Sequence, residues 1–287
     1  MSSPTETFQL SVDQAESYES SLVPAIFGEW APLLVEAAGV AAGQRVLDVA
    51  CGTGVVARAA ARHAGKRGRV TGLDLNAAML AVARRLRPDL EWRQGDAADL
   101  PFADGSFDAV LCQSALMFFP DPVRALREMA RVVATDGRVA VQVWARLERQ
   151  PGYGPLVQVA ARHAGPEAVS LLSAYWKLGD TDALAGLFAA AGLRVTAITA
   201  RAGTVRLGSV DELVRNEVES TPLRERISDE VYGRIIADAR EELGRFRTGA
   251  GIAVPIEGLL VTAVPGAQGT AGGRLPAVRL RRAAPPG

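Results

Sequence analysis

"VLDVACGTGVVAR", residues Val46–Arg58, joins three unlike pieces: a β-branched apolar run that ends in an aspartate, a loop of small residues, and the start of a helical pattern. A strand that breaks into small residues and restarts as a helix is the opening of a βαβ unit. The same alternation continues outward from it to Trp144. "RVTGLDL" reads as a second strand, and "NAAMLAVARRLR" as a helix capped by Asn76 and stopped before Pro88. "LEWRQGD" reads as a third strand and "FDAVLCQSAL" as a buried fourth. "PVRALREMARVV" is a helix with Pro122 in its first turn, and "GRVAVQVW" is a fifth strand after a "DGR" turn. Strands alternating with helices predict an α/β fold with a doubly wound, mostly parallel, seven-stranded Rossmann-like sheet. Its crevice is expected at the carboxyl ends of strands one and four.

Beyond Trp144 the regularity changes. Residues 146–178 are rich in Gly, Pro and aromatics and read as a partly helical insertion. "TDALAGLFAAAGL" returns to helix and "RVTAITA" to strand, residues 209–247 form a second helical insertion, and "AVPIEGLLVTAV" is the last strand. The predicted organisation is an N-terminal helical lid segment, 1–38, and a ligand-binding domain, 39–265. The two insertions serve as lid elements, and a tail, 266–287, has the composition of disorder.

Composition narrows the classes. Lys+Arg and Asp+Glu both number 32 in 287 residues, so no global basic field exists to attract nucleic acid or an anionic membrane surface. The N-terminal stretch lacks the pattern of a secretion signal, and no uncharged apolar run reaches the length of a membrane span. A cytoplasmic protein is expected, with a small-molecule substrate as its partner, no nucleic acid, no membrane, and a homodimer as the candidate assembly. Cys51 and Cys112 are the only cysteines and read as reduced packing residues. No Cys/His cluster suggests a metal.

The glycine loop fits two cofactors. As Gly52-x-Gly54-x-x-Ala57, with Asp74 twenty residues past Gly54, it satisfies the loose dinucleotide fingerprint, in which the acid binds a ribose. Asp48 separates the readings, because an acid at the end of strand one repels a pyrophosphate and attracts a cationic amino group. Asp96, in "QGDAADLPF", adds an acid at the end of strand three, placed to accept from an adenine amino group.

These residues resemble the class I S-adenosylmethionine-dependent methyltransferases, most closely the group that includes the ubiquinone and menaquinone C-methyltransferases. The resemblance covers roughly residues 40–145. It implies S-adenosyl-L-methionine as cofactor, with Asp48, Ala50, Gly52 and Gly54 forming the loop, Asp74 on the ribose, and Asp96 with Ala97 beside the adenine. It also implies that Cys51, Gln113 and Ser114 line the cofactor, that Leu75 and Met79 pack near the adenosine, and that Tyr18 folds over the methionine end. Two departures stand out. Ala50 replaces a loop glycine, which is tolerable if that backbone needs no positive φ, and "ATDGR" replaces a Pro-Gly-Gly turn.

Methyl transfer from a sulfonium requires a base only when the acceptor carries a proton of high pKa. His63 and His163 both lie in "ARHAG", each at a helix end where it complements the dipole, and Glu29 and Asp121 read as solvated charges. No catalytic residue is assigned. Phe27, Trp30, Phe118, Trp144, Tyr153, Tyr175 and Trp176, with His163 in the first insertion, are the candidate substrate-lining residues, and so many rings predict an apolar, ring-containing acceptor. The expected activity is methylation of oxygen or carbon on a small hydrophobic, aromatic or polyketide-like molecule in specialised metabolism. The alternatives are a non-methylating use of the cofactor such as a cyclisation, a nicotinamide oxidoreductase, and a non-catalytic binding subunit.

Overall fold

A computed structural model describes residues 10–219, 221–266 and 281–282. In chain order the elements begin with α1 (Val12–Ser17), α2 (Val23–Ala25), α3 (Trp30–Ala38), β1 (Arg45–Val49), α4 (Val55–Ala64) and β2 (Arg69–Asp74). They continue with α5 (Ala77–Leu86), β3 (Glu91–Gln94), β4 (Phe107–Gln113), α6 (Pro122–Val132) and β5 (Val133–Trp144). Next come α7 (Tyr153–Ala164), α8 (Glu167–Leu172), α9 (Thr181–Ala190), β6 (Leu193–Leu207) and α10 (Val210–Glu219). The last are α11 (Leu223–Arg226), α12 (Asp229–Glu242), β7 (Arg247–Thr248), β8 (Gly251–Pro265) and β9 (Arg281–Arg282).

The strand order is β3-β2-β1-β4-β5-β8-β6-β9, with β7 beside β8. β1 through β5 pair in parallel, and the order reverses between β1 and β4. Parallel neighbours need crossovers, and α4, α5 and α6 supply them, so the α/β doubly wound architecture expected from the alternation is present. The seven longer strands are those read from the sequence; β7 and β9 are two-residue additions. Of the 266–287 tail only Gly266 and Arg281–Arg282 are described, the latter pairing in parallel with Thr199 and Ala200. The rest of that expectation lies outside the described residues.

The chain divides into two compact units. Unit 1 holds the residues up to Val143, Thr181–Ala200 and those from Leu259; unit 2 holds Trp144–Asp180 and Arg201–Gly258. Both stretches read as insertions fall within unit 2.

Local chemistry explains the element boundaries in unit 1. Ser11 and Gln14 form a reciprocal capping box at the start of α1. Asn76 accepts the amides of Ala78 and Met79 at the start of α5, and Gly39, at φ 67°, ends α3. Asp121 is exposed, as a solvated charge should be, and its carboxylate also accepts the Arg124 amide to cap α6. The "DGR" turn is absorbed into β5. Pairing passes from Phe107↔Val133 to Ala109↔Arg138, so β5 carries three extra residues in a bulge of an otherwise continuous strand.

The helical stretch from Val12 to Ala38 is long and apolar enough to cross a membrane by composition alone. Here α1 packs on α5, and α3 on α4 and β4. Trp30, read as substrate-lining, is 0% exposed. It belongs to the core beside Leu34 and Val35, because the helical repeat that brings Ala31, Leu34 and Val35 inward brings Trp30 with them.

Trp92 on β3 fixes the spacing of the first two crossovers. A Cβ added at Gly72 would lie 2.4 Å from the Trp92 ring, and one at Gly54 only 2.3 Å from it. The indole is held by its N–H donating to the Arg87 carbonyl at 2.8 Å. Both glycines are therefore spacers for one ring, a role that no single-strand pattern reveals. Gly72→Ala is expected to destabilise the protein by about 1–3 kcal/mol through overpacking, measured by denaturant unfolding. Most of that loss should return in the Gly72→Ala, Trp92→Leu double variant relative to Trp92→Leu alone; equal losses in both backgrounds would show that the ring does not set the constraint.

Candidate functional site

The loop after β1 is a chain of left-handed residues. Ala50, Gly52 and Gly54 have φ of 55°, 54° and 87°. The expectation that Ala50 needs no positive φ is thus overturned: the loop must turn under the carboxyl end of β1 within five residues, and alternate left-handed residues accomplish this. For alanine that conformation costs about 1–2 kcal/mol. The strain persists because both sides of the loop are anchored. The Cys51 amide donates to the Leu73 carbonyl at 3.0 Å. The Gly52 amide donates to Asp74 Oδ2 and the Asn76 amide to Asp74 Oδ1, each at 2.8 Å. Asp74 therefore ties the first loop to the second. Burial holds its carboxyl above the ordinary value, opposed by these amide bonds.

Asp48 lies beneath the loop, 1% exposed. Its Oδ2 accepts the Ala57 amide at 2.9 Å, so it caps the first turn of α4, whose preceding residue Gly54 has no side chain to do so. Burial pushes its carboxyl up to about 8, with Asp74 nearby adding to the effect. Asp48 thus acts on the site through its field and through α4 rather than as an exposed charge.

The N-terminal segment closes over this loop. The Tyr18 ring lies 3.9 Å from where a Gly52 Cβ would sit and stacks on Phe27 at 5.3 Å. Arg58 bonds both the Thr53 carbonyl and Glu19 at 2.7 Å, which fastens the segment to the loop it covers. At the end of β4, Ser114 is also left-handed, with φ 52°, and its hydroxyl donates to Gln142 Oε1 at 2.5 Å. Gln113 donates to the Phe27 carbonyl at 3.1 Å. Asp96 is exposed, and its carboxylate accepts the Ala98 amide, forming a tight turn with Ala97 buried behind it.

Not every expected residue faces the crevice. Met79 is packed with Ala15 and Val82 under Tyr18, so it is core filling between α1 and α5. The Cys51 thiol lies against Gly72 on β2, leaving only its main chain for a ligand. His63 bonds the Ala59 carbonyl within its own helix. His163, read as substrate-lining, contacts Asp238 at 2.8 Å, a tie between α7 and α12. Sequence reasoning missed Trp92, Arg58 and Gln142, whose roles depend on contacts across elements.

The comparisons with known proteins bear on the same stretch of chain. A family profile described as "Methyltransferase domain" matches residues 47–141. Residues 47–141 form a methyltransferase domain. A demethylmenaquinone methyltransferase of Renibacterium salmoninarum is 38% identical over 155 residues, 53% of this chain and 62% of that protein. A 2-phytyl-1,4-naphtoquinone methyltransferase of Thermosynechococcus vestitus is 41% identical over 115 residues, 39% of this chain and 51% of that protein. The match thus spans only about half to two-thirds of these curated relatives. A phosphoethanolamine N-methyltransferase of Haemonchus contortus, solved in complex with S-adenosyl-L-methionine, shares the fold with TM-score 0.56 and 19% identity, over 91% of this chain and 59% of that one. S-adenosylmethionine, which that structure holds, is also the group that the sequence resemblance implies for residues 47–141 of this chain.

The residues present fit that group. Gly52 presents bare backbone toward the Tyr18 ring. Leu75, just past β2, leaves an apolar surface 44% exposed, as an adenosine face requires. Gln113 Oε1 and Thr53 Oγ1 are buried with no protein partner, in the part of the methyltransferase domain where a polar ligand would satisfy them.

Two consequences are measurable. Ala50→Gly relieves the left-handed strain and is expected to raise stability by about 1 kcal/mol, read by urea unfolding; no gain would mean that the loop is not left-handed in solution. For Asp48 the folded value lies above the ordinary 3.8, so its contribution to stability is complete below about pH 4 and is lost as pH rises through about 8. Asp48→Asn keeps an oxygen for the Ala57 amide and has no proton to lose. Its thermal midpoint should fall less than that of the wild type between about pH 5 and pH 8; parallel curves would place the ionised group elsewhere.

Proposed function

We propose that this protein is a cytoplasmic enzyme of specialised metabolism that methylates oxygen or carbon on a small, hydrophobic, ring-containing acceptor. The observation that carries the reading is the closure of the left-handed loop on Asp74 inside the methyltransferase domain. The curated relatives that match this domain are named for quinone and naphthoquinone methylation, which favours a flat apolar acceptor.

In this reading Asp74 binds the two ribose hydroxyls. Its oxygens are oriented by the Gly52 and Asn76 amides, and a carboxylate has lone pairs beyond those two bonds. Asp96 and Ala97 border the adenine, with Leu75 packing against its face. Ala50, the Cys51 main chain, Gly52 and Gly54 shape the bed of the methionine part, while Gln113 and Ser114 border its far side and Tyr18 covers it. Burial leaves Asp48 readily protonated in this structure; a cationic amino group nearby would draw it back to the carboxylate and gain a charge partner.

When bound, S-adenosylmethionine supplies a methyl group made electrophilic by an adjacent sulfonium. The chain's contribution is to hold the acceptor in line and to exclude water, which accelerates a displacement by positioning rather than by proton transfer. Tyr18, Phe27 and the Glu19–Arg58 pair keep the N-terminal segment over the loop for that purpose.

Isothermal titration with S-adenosylhomocysteine tests the assignment. Asp74→Ala and Gly52→Val are each expected to lower affinity at least tenfold, with circular dichroism unchanged. Retained affinity in both variants would mean that the cofactor binds elsewhere.

A further inference from the structure

Unit 2 holds four of the rings expected to line a substrate, together with a carboxylate, Glu217, to which no role has yet been given. The Tyr153 ring lies 4.9 Å from the Trp176 ring, and the Trp144 ring lies 6.4 Å from it. Tyr153 is buried, and the charge of Glu217 and the phenol of Tyr175 both act on its hydroxyl. Trp176 is 6% exposed, and its indole N–H is buried without a partner. A desolvated donor of this kind costs roughly 1–3 kcal/mol unless a ligand or water accepts from it.

Glu217 is the unusual member. On α10, residues Val210, Leu213, Val214 and Val218 are buried, and Glu217 falls three and four residues beyond Val214 and Leu213 on that same stripe. A helix of this kind normally carries an apolar residue there. Glu217 is set deep enough for burial to push its carboxyl up to about 7, yet the residue as a whole is only half-buried.

We infer that Tyr153, Tyr175, Trp176 and Glu217 form a binding recess in unit 2 for a hydroxylated aromatic ring, with Glu217 as the base that takes its proton. The aromatic side chains contact the ring. The ligand's hydroxyl oxygen accepts from the Trp176 N–H and donates its proton toward Glu217. On transfer the O–H bond breaks, the proton passes to a Glu217 oxygen, and the electron pair stays on the ligand oxygen as a phenolate. The raised basicity of Glu217 suits this, since a carboxylate of ordinary strength is a poor base toward a phenol. The inference rests on the methyltransferase reading, because it supplies the activated hydroxyl that such an acceptor needs.

The test uses the full chain and two fluorescent probes, 2-naphthol and 2-methoxynaphthalene, which share a ring system but differ in the proton that Glu217 would take. The wild type is expected to bind 2-naphthol saturably and at least tenfold more tightly than the methoxy compound. Glu217→Gln should remove most of that difference by weakening 2-naphthol alone, and Trp176→Phe, which keeps a ring and loses the donor, should weaken 2-naphthol about threefold or more. Thermal midpoints identify a variant that fails to fold, and either variant alone can decide the matter. No saturable 2-naphthol binding, or equal loss for both probes, overturns the recess. S-adenosylhomocysteine titration of the same samples separates the two ideas: binding of that nucleoside without 2-naphthol leaves the methyltransferase reading standing, whereas the converse removes it.

Discussion

Asp74 is the point on which the ligand-binding end of unit 1 turns. One of its oxygens accepts the Gly52 amide from the loop after β1, and the other accepts the Asn76 amide that starts the crossover after β2. Two crossovers that approach the carboxyl edge of a parallel sheet both present unsatisfied amides there, and a single carboxylate between them answers both. That carboxylate ties the loop that holds the left-handed residues Ala50, Gly52 and Gly54 to the start of α5, and the Tyr18 ring lies against the same loop at Gly52. The opposite side of the same loop is set by Trp92, whose ring leaves no room for a side chain at Gly54 or Gly72. The loop is confined between a hydrogen-bonding anchor and a steric one.

Such confinement is what allows local penalties to persist. Ala50 and Ser114 hold left-handed backbones without being glycine, Asp48 and Asp74 keep carboxyls in a medium that disfavours their charge, and Gln113 and Gln142 each leave one amide atom unpaired in the interior. Each costs on the order of a kilocalorie or more in isolation. They occur together at the strand ends, whereas the centre of the sheet is a conventional apolar layer of Val46, Leu47, Val110 and Leu111. Concentrated strain at one end of a sheet is the physical mark of a surface kept ready for a ligand.

Much of unit 1 was legible because its signals are local. The strands from Arg45 to Trp144 announce themselves by short β-branched runs, and Asn76 and Pro122 mark helix starts through the chemistry of their own side chains and rings. Other assignments failed where the deciding contact lies far along the chain. Met79 at helical spacing could face a ligand or a helix, and the arrival of α1 decided for the helix. Trp30 was one aromatic among many until the packing of α3 on α4 and β4 buried it. His163 had a plausible cap role within its own helix, but Asp238, seventy-five residues away, is its partner.

What the sequence by itself determined is the order of strands and helices, the small-residue loop, and the series of acids Asp48, Asp74 and Asp96 at three successive strand ends. These depend on periodicity and on residue identity at fixed offsets, which the chain carries along its length. Only the tertiary structure decided what each acid does. Asp74 became a double anchor and Asp48 a buried cap because amides from separate crossovers converge on them, and Glu217 became distinctive because its helix turns that position inward. Charge and spacing are written in the chain, but burial and convergence arise only when distant segments meet.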